Sequence, residues 1–340
     1  ESLDPNSTLI QTITVNVTDS SGNLSSENLE IQFEEPTFTL SGLAIDGYLQ
    51  GSSVSFIPAA EGVDQSLLLA TTDQDGAFSI QFLGDVFQQI DLNNNGALDP
   101  DEGYIEVSGG IDSSTNREFT GQLKADADSS VVTPLTTLVN EMIANGEDKE
   151  TALLEIADAF GYSSEIDITK YNPFEAAGTG DEASKKILQS GALVANMMKQ
   201  AEAFAKISGI DAVEGSASAA IAKDLTSLAS QGKSVNSLLV QQSEVSDMVK
   251  RALLDVSEEF VVDEEELDLF SGVATASNVV MADGSLTNFS PAEMVSKLIG
   301  RQIAVEEEVI VGLQDVSEGT TSLLGLSLKT DAASLIESAN

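Results

Sequence analysis

In the first third of the chain, apolar and polar residues tend to alternate, which is the pattern of half-buried β-strands. Within residues 9–18, isoleucine and valine occupy alternate positions, and residues 29–33 repeat the pattern after a turn at residues 19–23 that contains glycine. Two alternating segments joined by a short glycine-containing turn predict a β-hairpin. We assign this hairpin to residues 1–35.

Residues 36–130 contain further short segments of the same kind. Residues 38–56 predict two strands joined by a turn, and residues 71–80 predict a tight turn that enters another strand. Short strands separated by Gly-, Asn- and Asp-containing turns are typical of a β-sandwich. We therefore expect one sandwich in this part of the chain.

After residue 130 the apolar spacing becomes helical, and Ala, Leu, Ser, Glu and Lys dominate. Thr133 and Pro134 predict an N-cap and a first helical position, and Asn145 and Gly146 predict the end of that helix. The other predicted helices cover residues 151–160, 181–208, 212–231, 235–260 and 264–281, and a last one runs from a capping box at residues 290–293 toward residue 313.

These patterns predict an α+β, multidomain chain. Residues 1–35 form the hairpin, residues 36–130 the β-sandwich, and residues 131–340 an all-α helical bundle. The faces of the helices are rich in Ala, Ser and Gly, which allows close packing. No repeat of about 34 residues is visible, which argues against a solenoid.

The charge of the chain restricts its partners. The sequence has 56 acidic and 15 basic residues, for a net charge of −41. Such a surface repels nucleic acid, whose phosphates need clustered Lys or Arg, and it disfavours anionic lipid. No apolar run approaches the roughly 18 residues of a membrane span. We expect no nucleic-acid binding, no membrane insertion, and an environment whose cations screen the self-repulsion.

The absence of two residue types restricts the chemistry. The chain has no His and no Cys, so it lacks a His-based general base, a Ser-His or Cys-His pair, and imidazole or thiolate metal ligands. Chemistry based on carboxylates alone stays open, but with 56 acidic residues close carboxylate pairs are expected by chance. We predict that the protein is not an enzyme.

Residues 91–102 have the spacing of a calcium-binding loop. Oxygen-bearing side chains stand at positions 1, 3, 5, 9 and 12, and Gly96 stands at position 6, where the chain must turn sharply. The alternative is an Asx-rich surface turn without an ion, which has no need of Glu102 at the last position. The predicted cofactor is Ca²⁺, and its predicted ligands are Asp91, Asn93, Asn95, Ala97 through its backbone carbonyl, Asp99 and Glu102.

The loop resembles the EF-hand loop, but its flanking residues do not predict two helices. Residues 82–90 contain Gly84 and β-branched residues, and residues 103–108 favour a strand. We therefore expect a calcium loop between two strands. An ion in that position would hold a domain together rather than open a helix pair as a signalling switch does.

Three resemblances add context. The hairpin resembles the last two strands of an immunoglobulin- or cadherin-like repeat. Residues 37–128 resemble carboxypeptidase-regulatory-like (transthyretin-like) modules. The residues that carry this second resemblance are Ser41, Gly42, Asp46, Gly51, Val54, Thr72, Asp73, Gly76 and Phe78. The sandwich with residues 131–139 and 167–174 resembles a module of large secreted calcium-dependent surface and adhesin-like proteins of aquatic bacteria.

The third resemblance implies a secreted, cell-surface, bacterial protein. We expect a non-enzymatic, calcium-stabilised extracellular module whose partners are other domains or copies of the same surface protein, or a glycan or protein ligand. One alternative is a subunit of an extracellular filament or sheath, in which the hairpin completes a neighbour's sheet by strand addition. Another is a carbohydrate- or peptide-binding domain, which would require a deep pocket with convergent carboxylates.

Overall fold

The fold is that of a computed structural model, which describes residues 9–33, 37–210, 215–257, 261 and 263–339. The protein is a mixed α+β chain with several small sheets and many helices. Strands occupy the part of the chain before residue 133, and helices dominate after it. Within the described residues, no helix is both long and apolar enough to cross a membrane.

The predicted hairpin forms a two-stranded sheet of its own. β1 (Leu9–Thr18) pairs antiparallel with β2 (Leu24–Phe33). The return strand begins at Leu24 rather than at the predicted residue 29, because backbone pairing continues along polar residues that show no apolar alternation. Asp19 stabilises the turn: its Oδ1 accepts hydrogen bonds from the backbone N–H groups of Ser21 and Asn23, at 2.9 and 2.8 Å.

Ten further strands build the sandwich region. They are β3 (Thr37–Ala44), β4 (Leu49–Gln50), β5 (Ser53–Pro58), β6 (Leu69–Thr71), β7 (Ala77–Leu83), β8 (Gly103–Ser108), β9 (Ile111–Asp112), β10 (Arg117–Glu118), β11 (Gln122–Asp126) and β12 (Val131–Val132). The described sheets have the orders β12-β3-β7, β11-β8-β5-β6 and β10-β9-β4. β12 runs parallel to β3, and the other pairs are antiparallel.

The two larger sheets enclose one apolar core. Ile80 and Phe82 from β7 and Phe56 and Ile105 from the other sheet are almost fully buried. The rings of Phe56 and Phe82 meet edge to face with centroids 5.5 Å apart. Burying one such side chain stabilises the fold by roughly 1.5–3 kcal/mol. This core confirms the β-rich character predicted for residues 36–130.

A short helix precedes the acidic loop, where the sequence predicted extended chain. α1 spans Gly84–Ile90. Val86 and Ile90 lie four residues apart on its buried face, and the Phe87 ring stacks on Phe38 with centroids 4.2 Å apart. The prediction was wrong because Gly84 stands at the first helical position, where its flexibility costs little, and because packing outweighs weak helix propensity.

The helical region forms a second core. Its helices are α2 (Pro134–Ala144), α3 (Lys149–Phe160), α4 (Pro173–Gly178), α5 (Ala183–Ile207), α6 (Ser216–Ser230), α7 (Val235–Leu238), α8 (Gln242–Val256), α9 (Glu264–Met281), α10 (Pro291–Val305), α11 (Val311–Ser317), α12 (Leu323–Ser327) and α13 (Ala332–Ser338). A π-helical turn, Glu306–Ile310, joins α10 to α11. α5 lies at the centre and packs against α6, α9, α10 and α11.

The predicted helix boundaries hold where caps are strong. Thr133 forms the N-cap of α2 in a capping box with Thr136, and α9 has the predicted limits. The helix predicted at residues 235–260 is wrong as a single element, because α7 and α8 are separate. The predicted residues 212–214 and 258–260 lie outside the described part of the chain.

Hydrogen bonds cross the boundary that the sequence predicted at residue 130. β12 belongs to the sandwich, although residues 131 and 132 were assigned to the bundle. Thr136 Oγ1 donates to the Lys124 carbonyl at 2.9 Å, and the Lys124 N–H donates to Thr137 Oγ1 at 2.9 Å. α2 therefore lies directly on β11, and the two regions share an interface.

Candidate metal centre

The acidic loop at residues 91–102 is held at both ends by the sandwich. It begins directly after α1, whose residues Val86 and Ile90 are buried in the core. It ends at Glu102, directly before β8, which pairs with β5 and β11. The Glu102 carbonyl also accepts a hydrogen bond from the Ala59 N–H at 2.9 Å. The loop therefore joins a short helix to a central strand.

The first half of the loop folds around the carboxylate of Asp91, a residue that is 5% exposed. Its Oδ1 accepts from the Asn95 N–H at 3.1 Å, and its Oδ2 accepts from the Gly96 N–H at 2.8 Å. Gly96 has φ +83°, in the left-handed region that favours glycine. The sharp turn predicted at position 6 is confirmed.

Glu102 closes the loop from its other end. The residue is 2% exposed, and its side chain points back across the loop. Oε1 accepts from the Leu92 N–H at 2.6 Å and from the Asn93 N–H at 3.3 Å, and Oε2 accepts from the Asp99 N–H at 2.9 Å. Backbone amides at both ends of the loop thus fix both carboxylate oxygens of the twelfth residue.

Asp99 connects the two predicted asparagine ligands. Its Oδ2 accepts from the Nδ2 groups of Asn93 and Asn95, each at 2.6 Å. Rotating either amide by half a turn replaces that nitrogen with an oxygen, so the same positions can present oxygen ligands. Ala97 is exposed, and its N–H donates to Asn95 Oδ1 at 2.8 Å; the role of its carbonyl stays a prediction.

The loop gathers negative charge without a basic neighbour. Among the described residues, none of the ion pairs includes Asp91, Asp99 or Glu102. Their carboxylates are held by backbone and amide N–H groups instead. The described part of the chain contains no group of three or more acidic side chains in the arrangement of a preformed metal cluster. Two of the predicted ligand positions carry asparagine, which is not an acidic side chain.

A second polar site, missed by sequence analysis, lies between the sandwich and the bundle. We call it the lysine centre and define it as Lys199, Asp46 and Glu306. Lys199 Nζ lies 3.1 Å from Asp46 Oδ2 and 2.8 Å from Glu306 Oε1. The side chains are 10%, 1% and 14% exposed, respectively. Three elements distant in sequence therefore contribute one residue each.

The electrostatics of the lysine centre follow from its burial. Burial raises the pKa of Asp46, and the nearby carboxylates of Asp112 and Glu306 raise it further, against the effect of Lys199. Burial alone would lower the pKa of Lys199, but Asp46 and Glu306 hold it above its usual value. Within the described residues, neither oxygen of Asp46 accepts a hydrogen bond of good geometry. The contact of Lys199 with Asp46 is an ion pair, with 3.1 Å between Nζ and Oδ2.

Asp112 borders this centre and is held separately. Its Oδ1 accepts from the N–H and the hydroxyl of Ser114, at 2.8 and 2.6 Å, and its Oδ2 accepts from Thr115 Oγ1 at 3.0 Å. A side chain at Gly47 would overlap Asp112 and Ser114, so glycine is needed for this close approach. The Asp-Gly pair at residues 46–47 was the one available sequence signal, and it also fits an ordinary turn.

A similar arrangement, the Lys149 cluster, consists of Lys149, Asp126 and Asp128. Lys149 Nζ donates to Asp126 Oδ1 at 3.0 Å and also to Asp128. Burial raises the pKa of Asp126 to about 7. Burial would also raise the pKa of Asp128, but hydrogen bonds with Asp126 and Lys149 lower it to about 2.

A cleft in the described part of the chain does not have convergent carboxylates. A cleft of about 400 Å³ opens between α5, α7 and α9. Of the described residues that line it, Asp283 is the one carboxylate, and Arg301 lies 2.7 Å from it. The carbohydrate- or peptide-binding alternative therefore gains no support from this cleft.

No protein-family model, curated protein or solved structure matches the chain. The function must therefore be argued from the loop, the lysine centre and the hairpin themselves.

Proposed function

We propose that the chain is a non-enzymatic, calcium-stabilised extracellular module of a large bacterial cell-surface or adhesive protein. One observation carries the proposal: the loop at residues 91–102 gathers five oxygen-bearing side chains at calcium-loop spacing and links them by hydrogen bonds. Ca²⁺ takes six to eight oxygen ligands, and such a loop supplies most of them. In this proposal Asp91, Asn93, Asn95, the Ala97 carbonyl, Asp99 and Glu102 hold the ion.

The position of the loop favours a structural role for the ion. A calcium ion between Asp91 and Glu102 would tie the end of α1 to the start of β8. A regulatory EF-hand needs a second helix after its loop, and here a strand follows. Calcium would thus add stability to the sandwich without changing its shape.

The charge favours an extracellular setting. A net charge of −41 is self-repulsive, and dissolved cations screen it. Calcium sites of extracellular modules bind with dissociation constants of about 10⁻⁴–10⁻³ M, because calcium outside cells is abundant. The partners in this proposal are neighbouring domains or further copies of the same surface protein, and the adhesive context rests on the resemblance described above.

Thermal unfolding with and without calcium tests the proposal. We would measure the Tm of the full chain in EDTA and in millimolar Ca²⁺, for the wild type, Glu102→Gln and Asp101→Asn. Asp101 is the matched control because it is exposed, lies in the same loop and stands at no ligand position. At a calcium concentration ten times the Kd, the ion stabilises the folded state by about 1.4 kcal/mol.

The readout is the increase in Tm that calcium causes in each variant. We expect an increase in the wild type and in Asp101→Asn, and none in Glu102→Gln. Because Glu102 also accepts backbone hydrogen bonds, its variant will melt at a lower temperature even in EDTA. Comparing the Tm in calcium with the Tm in EDTA for the same variant removes that effect. Equal Tm values for the wild type in EDTA and in calcium would disprove the proposal.

The hairpin favours a second candidate, a subunit of an extracellular filament or sheath. β1 and β2 pair only with each other among the described strands, and the side chains of residues 12–28 are exposed. Ile13, Val15 and Val17 are 42%, 46% and 62% exposed along one face. Sedimentation at rising concentration tests this: assembly that disappears when residues 1–35 are deleted supports the filament, and a monomer at all concentrations rejects it.

A further inference from the structure

We propose that the cleft between α5, α7 and α9 binds a small aliphatic carboxylate, whose charged end contacts Lys186 and whose apolar body lies against an aliphatic wall. The cleft has a volume of about 400 Å³, which lies within the range of small-molecule sites. We call it the Lys186 cleft and define it by Lys186, Leu193, Asn236, Val240, Val279 and Asp283. The site is independent of the calcium proposal. Its support is an unpaired lysine, fixed walls and an aliphatic lining.

Lys186 is a half-buried cation without a counter-charge. Within the described residues it belongs to none of the ion pairs. Burial lowers the pKa of Lys186, and no nearby carboxylate offsets that effect. The adjacent Lys185 is satisfied instead: its Nζ lies 2.5 Å from Glu182 and donates to the Thr287 carbonyl at 3.2 Å. An anion beside Lys186 would supply the favourable charge that the protein leaves out.

The carboxylate that lines the described part of the cleft, Asp283, is already engaged. Its Oδ2 accepts from the Arg301 guanidinium at 2.7 Å and from the Ser285 hydroxyl at 2.6 Å, and its Oδ1 accepts from the Ser285 N–H at 2.9 Å. Burial would raise the pKa of Asp283, but these hydrogen bonds and the charge of Arg301 lower it. Arg301 therefore balances Asp283, and the charge of Lys186 is left over. Charge complementarity thus favours a ligand with one negative charge.

Hydrogen bonds between the elements fix the walls of the cleft. Gln189 Nε2 on α5 donates to the carbonyls of Met281 and Asp283, at 2.9 and 3.2 Å, and so holds the end of α9 against α5. Asn236 Nδ2 on α7 donates to the Phe160 carbonyl at 2.8 Å, which holds α7 against the end of α3. The cleft is therefore formed before a ligand arrives, and binding requires little ordering of the chain.

The remaining lining of the cleft is largely aliphatic. Lys186 and Leu193 lie about two helical turns apart on one face of α5. Val240 after α7 and Val279 on α9 face the same space. No aromatic ring lines the described part of the cleft, so it offers no surface on which a sugar or an aromatic ligand would stack. One cation beside an aliphatic wall fits an anion whose body is a short, branched hydrocarbon.

Methyl NMR of the full-length chain tests the proposal. We would label the Leu and Val methyl groups and titrate the protein with 4-methylpentanoate at constant ionic strength. We expect saturable shifts of the methyl signals of Leu193, Val240 and Val279, with a Kd on the order of millimolar for a ligand of this size. The absence of saturable shifts at these three residues would overturn the proposal.

Matched ligands separate the contributions of the charge and of the hydrocarbon. The neutral 4-methylpentanamide keeps the body, and acetate keeps the charge. Each should bind at least about tenfold more weakly than 4-methylpentanoate, because one loses the charge-assisted contact and the other the apolar contact. Equal binding of the amide would overturn the role of the carboxylate, and equal binding of acetate would overturn the role of the aliphatic wall.

A third ligand distinguishes two sources of the same chemistry. N-acetylleucine carries a carboxylate and a branched aliphatic group on the end of a peptide unit. If it binds more tightly than 4-methylpentanoate, the carboxyl end of a polypeptide supplies the carboxylate in the Lys186 cleft. If it binds more weakly, a free aliphatic acid does. Either result supports a carboxylate site, provided that the shifts occur at the same three residues.

Two lysine variants locate the charge. Lys186→Gln should weaken the binding of 4-methylpentanoate at least about tenfold, because the charge-assisted contact is lost. Lys206→Gln is the matched control, since Lys206 lies exposed on the same helix and outside the Lys186 cleft; its binding should equal that of the wild type. Wild-type binding in Lys186→Gln would overturn the proposal.

Two further measurements separate binding from a structural role. Without ligand, the Tm of Lys186→Gln should be no lower than that of the wild type, because the lysine gives up no ion pair; a lower Tm would show that Lys186 serves the fold and would overturn the proposal. Ala282→Leu adds bulk to the cleft lining and leaves the lysine in place. It should keep the circular dichroism of the wild type and lose the ligand, and unchanged binding would place the ligand elsewhere.

Discussion

The loop at residues 91–102 and the lysine centre both hold carboxylates close together, but by different means. In the loop, backbone N–H groups and asparagine amides donate to Asp91, Asp99 and Glu102. In the lysine centre, a lysine lies between Asp46 and Glu306. In the proposal above, the loop exchanges its N–H donors for a solvent cation, whereas the lysine centre already contains a cation, Lys199.

The two sites also differ in how far apart in sequence their interacting residues are. The hydrogen bonds that the side chains of Asp91, Asp99 and Glu102 accept join residues at most ten positions apart, so a short sequence can specify them. The lysine centre needs the sandwich, α5 and the π-helical turn to be assembled first. The lysine centre therefore forms only in the completed tertiary structure, and removing one of its charges should lower the free energy of unfolding of the whole chain.

The largest effect is expected for Lys199→Met, which leaves Asp46 and Glu306 in place without a cation. Removing one partner of a buried ion pair costs about 3–5 kcal/mol. We expect a loss of unfolding free energy of that order in urea denaturation at pH 7. The loss should shrink at low pH, because burial raises the pKa of Asp46 and so favours its neutral form. A loss that is the same at pH 7 and at low pH would show that lysine packing, not charge, dominates.

The Lys149 cluster gives the next largest effect, and it depends on pH. The pKa of Asp126 is raised to about 7 in the folded state, above its unfolded value of about 3.9. Between these values the folded state binds the extra proton, so stability falls as pH rises toward 7, by at most about 1.4 kcal/mol per pH unit. Asp128 acts in a separate window: its pKa of about 2 contributes stability that is lost as pH falls below about 4.

Asp126→Asn should remove this pH dependence. We would measure the free energy of unfolding at pH 5 and at pH 7.5 for the wild type, for Asp126→Asn and for Asp158→Asn, an exposed acidic residue on α3. The wild type and Asp158→Asn should lose more stability between the two pH values than Asp126→Asn does. Equal losses of stability in all three proteins would show that a group other than Asp126 causes the pH dependence.

The smallest effect is expected for Glu307→Gln, one residue after a member of the lysine centre. Arg117 lies 2.7 Å from Glu307, but the two side chains are 45% and 55% exposed. Solvent and salt screen such a pair, so its loss should cost less than about 1 kcal/mol. The same urea titration checks it; a cost close to that of Lys199→Met would mean that burial does not explain the contrast.

The sequence predicted the features that depend on neighbouring residues. The N-cap at Thr133, the capping box at Ser290 and the limits of α9 follow from caps and apolar spacing. The turn at Gly96 and the folding of Asp91 and Glu102 onto the loop follow from residue types at fixed positions. Calcium binding itself stays a prediction, because spacing specifies a geometry and not an occupant.

The features that the sequence did not predict depend on contacts between residues far apart in the chain. α1 is helical because Val86, Phe87 and Ile90 pack on the sandwich, and no local signal predicts that. The lysine centre joins residues from both regions, and a lysine within an amphipathic helix usually reaches solvent. Sequence spacing alone cannot indicate which lysine the fold will bury.

The two-residue strand β12 determines where a fragment of the protein can end. Leu43 and Ile45 donate backbone hydrogen bonds to Ser130 and Val132. A fragment that stops at residue 130 would leave this edge of β3 unpaired, and open sheet edges recruit other chains into aggregates. The sandwich can complete this sheet only after the chain has been synthesised past Val132, so a useful expression fragment must extend through α2.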